Sequence, residues 1–116
     1  MPYIRIETNV EWHEATGHEL VARASQLAAT LTQKPERVVQ AQINAGQALS
    51  HGGSFEPAAY VEFKSIGLQA ADCPGFAKAI CEFILTEFGV PTDRIYIEFK
   101  DIQREFFGWD NKTFAG

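Results

Sequence analysis

The feature that most constrains this chain is a change of hydrophobic period that occurs twice in the same order. From Pro2 to Thr8, Ile4 and Ile6 alternate with Tyr3, Arg5 and Glu7, the period of two expected of a half-buried strand. From His18 to Gln33, Leu20, Ala24, Leu27, Ala28 and Leu31 recur at helical spacing and form one stripe. Pro35 stops that helix soon after Lys34. From Val38 to Ala45 the period of two returns, with Val39, Ala41, Ile43 and Ala45 opposing Gln40, Gln42 and Asn44.

A turn-rich stretch through Gly46, Ser50, Gly52, Gly53, Ser54 and Pro57 follows, and the series then repeats. Ala59, Val61 and Phe63 alternate with Tyr60, Glu62 and Lys64. A second helix opens at Pro74, where a missing N–H costs nothing in the first turn. Its stripe is Phe76, Ala77, Ile80, Ile84 and Phe88, and Gly89 is its C-terminal cap. Ile95, Ile97 and Phe99 then alternate with Tyr96, Glu98 and Lys100.

Strands joined in parallel through a helix make right-handed crossover units. Two such units predict an α+β fold: a four-stranded mixed sheet with both helices on one face. The 116 residues suit one domain spanning 1–116. The other sheet face carries Arg5, Glu7, Gln40, Gln42, Glu62 and Lys64, so it must meet water. The last segment holds Phe106, Phe107, Trp109 and Phe114. Rings in a lone tail would be exposed, so their expected place is against the body of the protein or a neighbouring subunit.

A net charge of −5 with no basic run argues against nucleic acid or an anionic membrane as a partner. No apolar run is long enough to cross a bilayer, and the start lacks the basic-then-apolar pattern of a secretory signal. The expected location is cytoplasmic. Cys73 and Cys81, if both lie on one helix, are roughly 12 Å apart along its axis, too far for a disulfide. The histidines of HEATGH, His13 and His18, superficially match a zinc-protease helix. They are five apart, which sets them about 140° apart around the axis. No metal site and no cofactor is expected. Gly52-Gly53 lacks phosphate-loop spacing and reads as a turn. Asn111-Lys112-Thr113 matches a glycosylation acceptor with no secretory route to use it.

The same architecture suits ferredoxin-like regulatory domains, so pattern leaves function open. Specific pieces narrow it: Pro2 directly after Met1 and running to ETNV, Lys34 in QKPERV, HGGSFEP at 51–57, SIG at 65–67, PTDRIYIEFKD at 91–101 and GWDNKTFA at 108–115. In this order and spacing, over nearly the whole chain, they resemble the macrophage migration inhibitory factor and D-dopachrome tautomerase family. The resemblance implies a homotrimer whose sheets surround a solvent-filled channel, with active sites between adjacent subunits. It implies keto-enol tautomerase activity on aromatic 2-keto acids such as phenylpyruvate, with dopachrome as a further substrate. After Met1 removal Pro2 would carry a secondary amine, and a neutral amine near pH 7 can act as general base.

By the same matching, Lys34 would hold the substrate carboxylate and help keep Pro2 deprotonated. Ile66 would offer a backbone contact to the carboxylate region. Tyr96, Phe107 and Trp109 would come from the neighbouring subunit. Taken alone, Pro2 reads first as an edge-strand starter and Lys34 as a helix-end cation, and Tyr96, Phe107 and Trp109 are equally packing residues. Glu98 stands where the best-known vertebrate members carry an asparagine that contacts the ring substituent. An anion there would repel electron-rich or anionic substrates and act on Pro2 in the opposite sense to Lys34. Ala58 takes the first position of those members' Cys-x-x-Cys, and Tyr60 follows rather than a second thiol, so a thiol–disulfide role is not implied. Vertebrate members also act as cytokines, which makes a protein ligand with non-classical secretion the alternative reading. A small-molecule-binding domain without turnover is a third.

Overall fold

A computed structural model describes residues 1–12 and 14–116. Four strands form the main sheet: β1 (Tyr3–Thr8), β2 (Gln40–Asn44), β3 (Ala59–Ile66) and β4 (Ile95–Ile102), in the order β2-β1-β3-β4. The outer pairs β1–β2 and β3–β4 are parallel, and the central pair β1–β3 is antiparallel. Each parallel pair is joined by a helix, α1 (Glu14–Thr32) or α2 (Cys73–Phe88). This is the expected doubled strand–helix–strand arrangement. A short hairpin, β5 (Gly108–Trp109) with β6 (Lys112–Thr113), ends the chain.

The alternation read in the sequence is the alternation of burial. On β1, Ile4, Ile6 and Thr8 point under the helices, as does Pro2 just before it, while Tyr3, Arg5 and Glu7 face away. Ile4, Ile6, Ile43, Val61 and Phe63 pack with Leu20, Ala24 and Ala28 of α1 and Ile80 and Ile84 of α2 in one core. Phe63 is the hub, with the Phe76 and Phe99 rings edge-on at 5.8 and 5.9 Å. The opposite face is a lattice of charge. Arg5 reaches Glu62 at 2.8 Å, Lys64 lies 3.4 Å from Glu62, and Asn44 donates to Glu7.

Element ends differ from the sequence reading where local geometry overrides the apolar stripe. Helix α1 starts at Glu14 rather than near His18, because its first turn is polar and carries no stripe. It ends at Thr32, before Pro35 can act. Gln33 turns left-handed (φ 55°), the Lys34 N–H bonds the Ala29 carbonyl at 3.1 Å, and the Gln33 N–H bonds Thr30. That is a Schellman cap with glutamine where glycine is usual. Strand β2 begins at Gln40, two residues late, because Glu36–Val38 form a 3-10 turn. Helix α2 carries its proline in the first turn and closes on left-handed Gly89, as expected.

Candidate active site

Pro2 sits one residue before β1, on the core-facing side of that strand, and is fully buried. The Gln40 N–H bonds its carbonyl at 3.1 Å, tying it to the start of β2. The chain around it opens into a cleft of about 500 Å³ lined by Met1, Pro2, Tyr3, Arg37–Gln40, Phe107, Gly108, Trp109 and Phe114. Three rings make its apolar wall. Phe107 and Phe114 meet edge-on at 5.5 Å, and Trp109 and Phe114 stack at 6.1 Å.

The wall is built by the terminal hairpin. Asp110 and Asn111 both have positive φ (51° and 67°), the two-residue hairpin turn that Asp and Asn tolerate. The turn pairs Gly108 with Thr113, and the Phe114 N–H bonds the Phe107 carbonyl. Phe107 and Phe114 therefore arrive together. The sequence reading assigned Phe107 and Trp109 to a neighbouring subunit; they line the cleft of their own chain. Phe114 was named only as a tail aromatic, although the Asp-Asn turn between Trp109 and Phe114 signals the pairing that brings it in. Arg37 was missed outright, since nothing in a QKPERV stretch marks one residue as lining a cleft.

Lys34 and Ile66 lie together on a second cleft of about 570 Å³, between the end of α1 and the turn after β3. Lys34 is exposed and has no ion pair among the described residues. Its charge nevertheless reaches the chain start. Burial first, and the Lys34 ammonium second, lower the pKa of the Met1 α-amine below its ordinary value. The turn beside Ile66 is held by Asp101, whose Oδ1 accepts from the Gly67 and Leu68 N–H groups at 3.0 and 3.1 Å.

Tyr96 and Glu98 are elsewhere. Both project from edge strand β4 on the polar face, opposite to Pro2. Tyr96 pairs with Tyr60, which pairs with Glu7. At about 3.3 Å per residue and 4.8 Å per strand, Tyr96 lies roughly 19 Å from the Pro2 of its own chain. Its ring packs against His51, centroids 4.8 Å apart. Glu98 accepts from the Tyr60 hydroxyl at 2.9 Å, and that bond leads the causes that raise the Tyr60 pKa.

Much of the motif set turns out to be scaffold. Gly52 and Gly53, at φ 60° and 76°, make a tight turn closed by His51 and Ser54. The Asn9 amide donates to Leu49, Phe55 and Glu56, its oxygen accepts from the Ala58 N–H, and the buried Thr8 hydroxyl donates to the Ala58 carbonyl. The Arg94 guanidinium donates to the carbonyls of His51, Ser54, Glu56 and Pro57. ETNV, HGGSFEP and PTDR are thus three parts of one clamp.

The macrophage migration inhibitory factor (MIF) family model matches residues 1–115. The chain belongs to the macrophage migration inhibitory factor family. Among curated MIF relatives, a homologue from Brugia malayi is 33% identical over 116 residues, covering 99% of this chain and all of that one. The crystal structure of a MIF homologue from Prochlorococcus marinus superposes with a TM-score of 0.90 at 34% identity, over 97% of this chain and 98% of that one. MIF from Trichinella spiralis superposes at 0.89 with 28% identity, over 97% and 99%. The four-stranded mixed sheet with two helices is the fold of these MIF structures. No α-helix among the described residues is long and apolar enough to cross a membrane. His18 is exposed, His13 lies outside the described residues, and both cysteines are free thiols.

Proposed function

We infer that this protein is a keto-enol tautomerase acting on aromatic 2-keto acids of the phenylpyruvate type, with the amine of Pro2 as general base once Met1 is removed. The observation that carries the reading is the setting of the chain start. Pro2 is buried beside three aromatic rings, and the amine one residue upstream already feels both burial and the Lys34 charge. Both effects disfavour a protonated amine. Moved onto Pro2, they would keep its nitrogen neutral below the ordinary α-amine range of about 7.7–8.0.

The chemistry needs little more. The neutral amine takes a proton from the carbon between the ring and the carbonyl. The C–H electron pair becomes the new C=C bond, the carbonyl π pair moves to oxygen, and oxygen takes up a proton. The reverse sequence returns the keto form. Phe107, Trp109 and Phe114 would hold the aryl group, an apolar slot with few polar groups being the usual form of a small-molecule site.

The reading includes a homotrimer. The polar face of the sheet, the open edges β2 and β4, and the distance of Tyr96 and Glu98 from their own Pro2 all favour it. In such an assembly these two residues would complete a neighbour's cleft. The chain's radius of gyration, 14.6 Å, exceeds the roughly 13 Å of a compact chain of this length, consistent with an arm that packs on another copy.

The test is to follow the enol absorbance of phenylpyruvate with protein shown by mass spectrometry to begin at Pro2. Turnover well above buffer, lost in a variant that retains Met1 and strongly reduced in Pro2→Gly, is the expected result. Processed protein with no turnover above buffer would end the enzyme reading.

A further inference from the structure

The polar face of the sheet is built in rows, because β1, β3 and β4 pair residue for residue. One row is Arg5, Glu62 and Glu98, and the next toward the start of β1 is Tyr3, Lys64 and Lys100. In the first row the groups answer one another or a neighbour. Arg5 reaches Glu62 at 2.8 Å, and the Tyr60 hydroxyl donates to Glu98 at 2.9 Å. The second row has two ammonium groups and no carboxylate of its own. Neighbouring strands run about 4.8 Å apart, so Lys64 and Lys100 leave the sheet side by side on one face. Like charges directly opposite one another destabilise a sheet.

Lys64 is compensated. Its Nζ lies 3.4 Å from Glu62 and 5.9 Å from the centre of the Tyr3 ring. Glu62 is then fully engaged, since its other oxygen holds Arg5. Lys100 has no ion pair or hydrogen bond among the described residues. Other surface cations are also unpaired; what sets Lys100 apart is a second ammonium in register with it and a cavity before them both.

That cavity, of about 480 Å³, is lined by Lys64, Lys100, Asp101, Ile102, Gln103 and Phe106. It shares no lining residue with the Pro2 cleft or the Lys34 cleft. Asp101 is the one carboxylate in the lining, and its Oδ1 is taken up by the Gly67 and Leu68 N–H groups. Phe106 is 82% exposed, an apolar wall that its own chain leaves open.

We propose that this cavity binds a small organic phosphate, its phosphoryl head between Lys64 and Lys100 and its apolar body against Ile102 and Phe106. A dianion meets both ammonium groups at once through charge-assisted hydrogen bonds, and so relieves the repulsion within the row. Inorganic phosphate would leave the apolar wall uncovered. The site stands on this chain alone and needs neither the tautomerase reading nor the trimer.

The experiment follows the thermal midpoint at fixed ionic strength as phenyl phosphate is added, since a ligand that binds only the folded state raises it. The wild type should show a saturable rise. Lys100→Gln should be at least as stable as the wild type without ligand, because a like-charge contact is gone. It should need about fivefold or more phenyl phosphate for the same rise. Lys78→Gln, a surface lysine of α2 outside the cavity, should respond as the wild type does. Inorganic phosphate should act more weakly than phenyl phosphate, and that difference should shrink in Phe106→Ala.

An equal rise in wild type, Lys100→Gln and Lys78→Gln would be a general salt effect and would overturn the proposal. So would inorganic phosphate acting as strongly as phenyl phosphate, which would remove the apolar body from the ligand. A Lys100→Gln chain less stable than the wild type without ligand would show that an acid, from this chain or a second copy, already answers Lys100. A response lost in Lys34→Ala but kept in Lys100→Gln would move the ligand to the Lys34 cleft. Either result would sink the site.

Discussion

At the residue scale, Lys34 acts on the chain-start amine through its charge and Arg94 holds a turn through its hydrogen bonds. A cation near an amine raises the cost of protonating it, so Lys34 lowers the amine's pKa and keeps more of it neutral at a given pH. Removing that cation must shift the pKa up. Lys34→Ala is expected to move the acidic limb of the kcat/KM profile to higher pH, so the loss of activity at about pH 6 exceeds that at about pH 9, where the amine is neutral in both proteins. A pH–rate profile with an unmoved limb would remove Lys34 from this role. Arg94 donates to four carbonyls of the 51–57 turn. Arg94→Ala should cost about 2–4 kcal/mol in urea unfolding, since several charge-assisted bonds go at once. Arg94→Lys should recover little, because one ammonium cannot span the same carbonyls.

The end of α1 shows the same thing at the element scale. Gln33 occupies a left-handed position that favours glycine, and it does so to finish a cap that sets where Lys34 begins. Relief of that strain should make Gln33→Gly more stable by about 0.5–1 kcal/mol, read from the thermal midpoint. Destabilisation instead would mean that the glutamine side chain contributes more than its backbone costs. The terminal hairpin is an element of only two short strands, too small to stand alone. Its order comes from the packed rings of Phe107, Trp109 and Phe114 and from the cleft they line.

For the molecule as a whole, the proposed trimer would bring Tyr96 and Glu98 to a neighbouring copy. Within one chain they lie on the wrong face and at the wrong end of the sheet to meet Pro2. If they complete a neighbour's cleft, two inactive variants can complement each other. Mixed assemblies of Pro2→Gly and Tyr96→Ala chains, refolded together, should contain clefts with an intact Pro2 and an intact Tyr96, and so recover part of the activity that neither parent shows. Activity of the mixture equal to the mean of the parents would place both residues in independent sites. Light scattering of the wild type should give the mass of three chains.

The local periods and their order are legible residue by residue, and with them the sheet, its two helices and its core. Ile4, Ile6, Val61 and Phe63 are buried because alternation and packing are enforced by near neighbours along the strand and across the register. The Gly89 cap and the Pro74 helix start were legible for the same reason, as each depends on the dihedral preference of one residue. Which side chains share a cleft was settled by the fold in three dimensions. The chain-start proline, the Arg37 turn and the terminal rings lie far apart in sequence, and no periodicity encodes their meeting. It follows from where β1 lies between β2 and β3, and from a hairpin whose direction is set by contacts rather than by propensity. Arg37 was overlooked for that reason: which cavity a side chain lines is a property of the folded surface rather than of the residue.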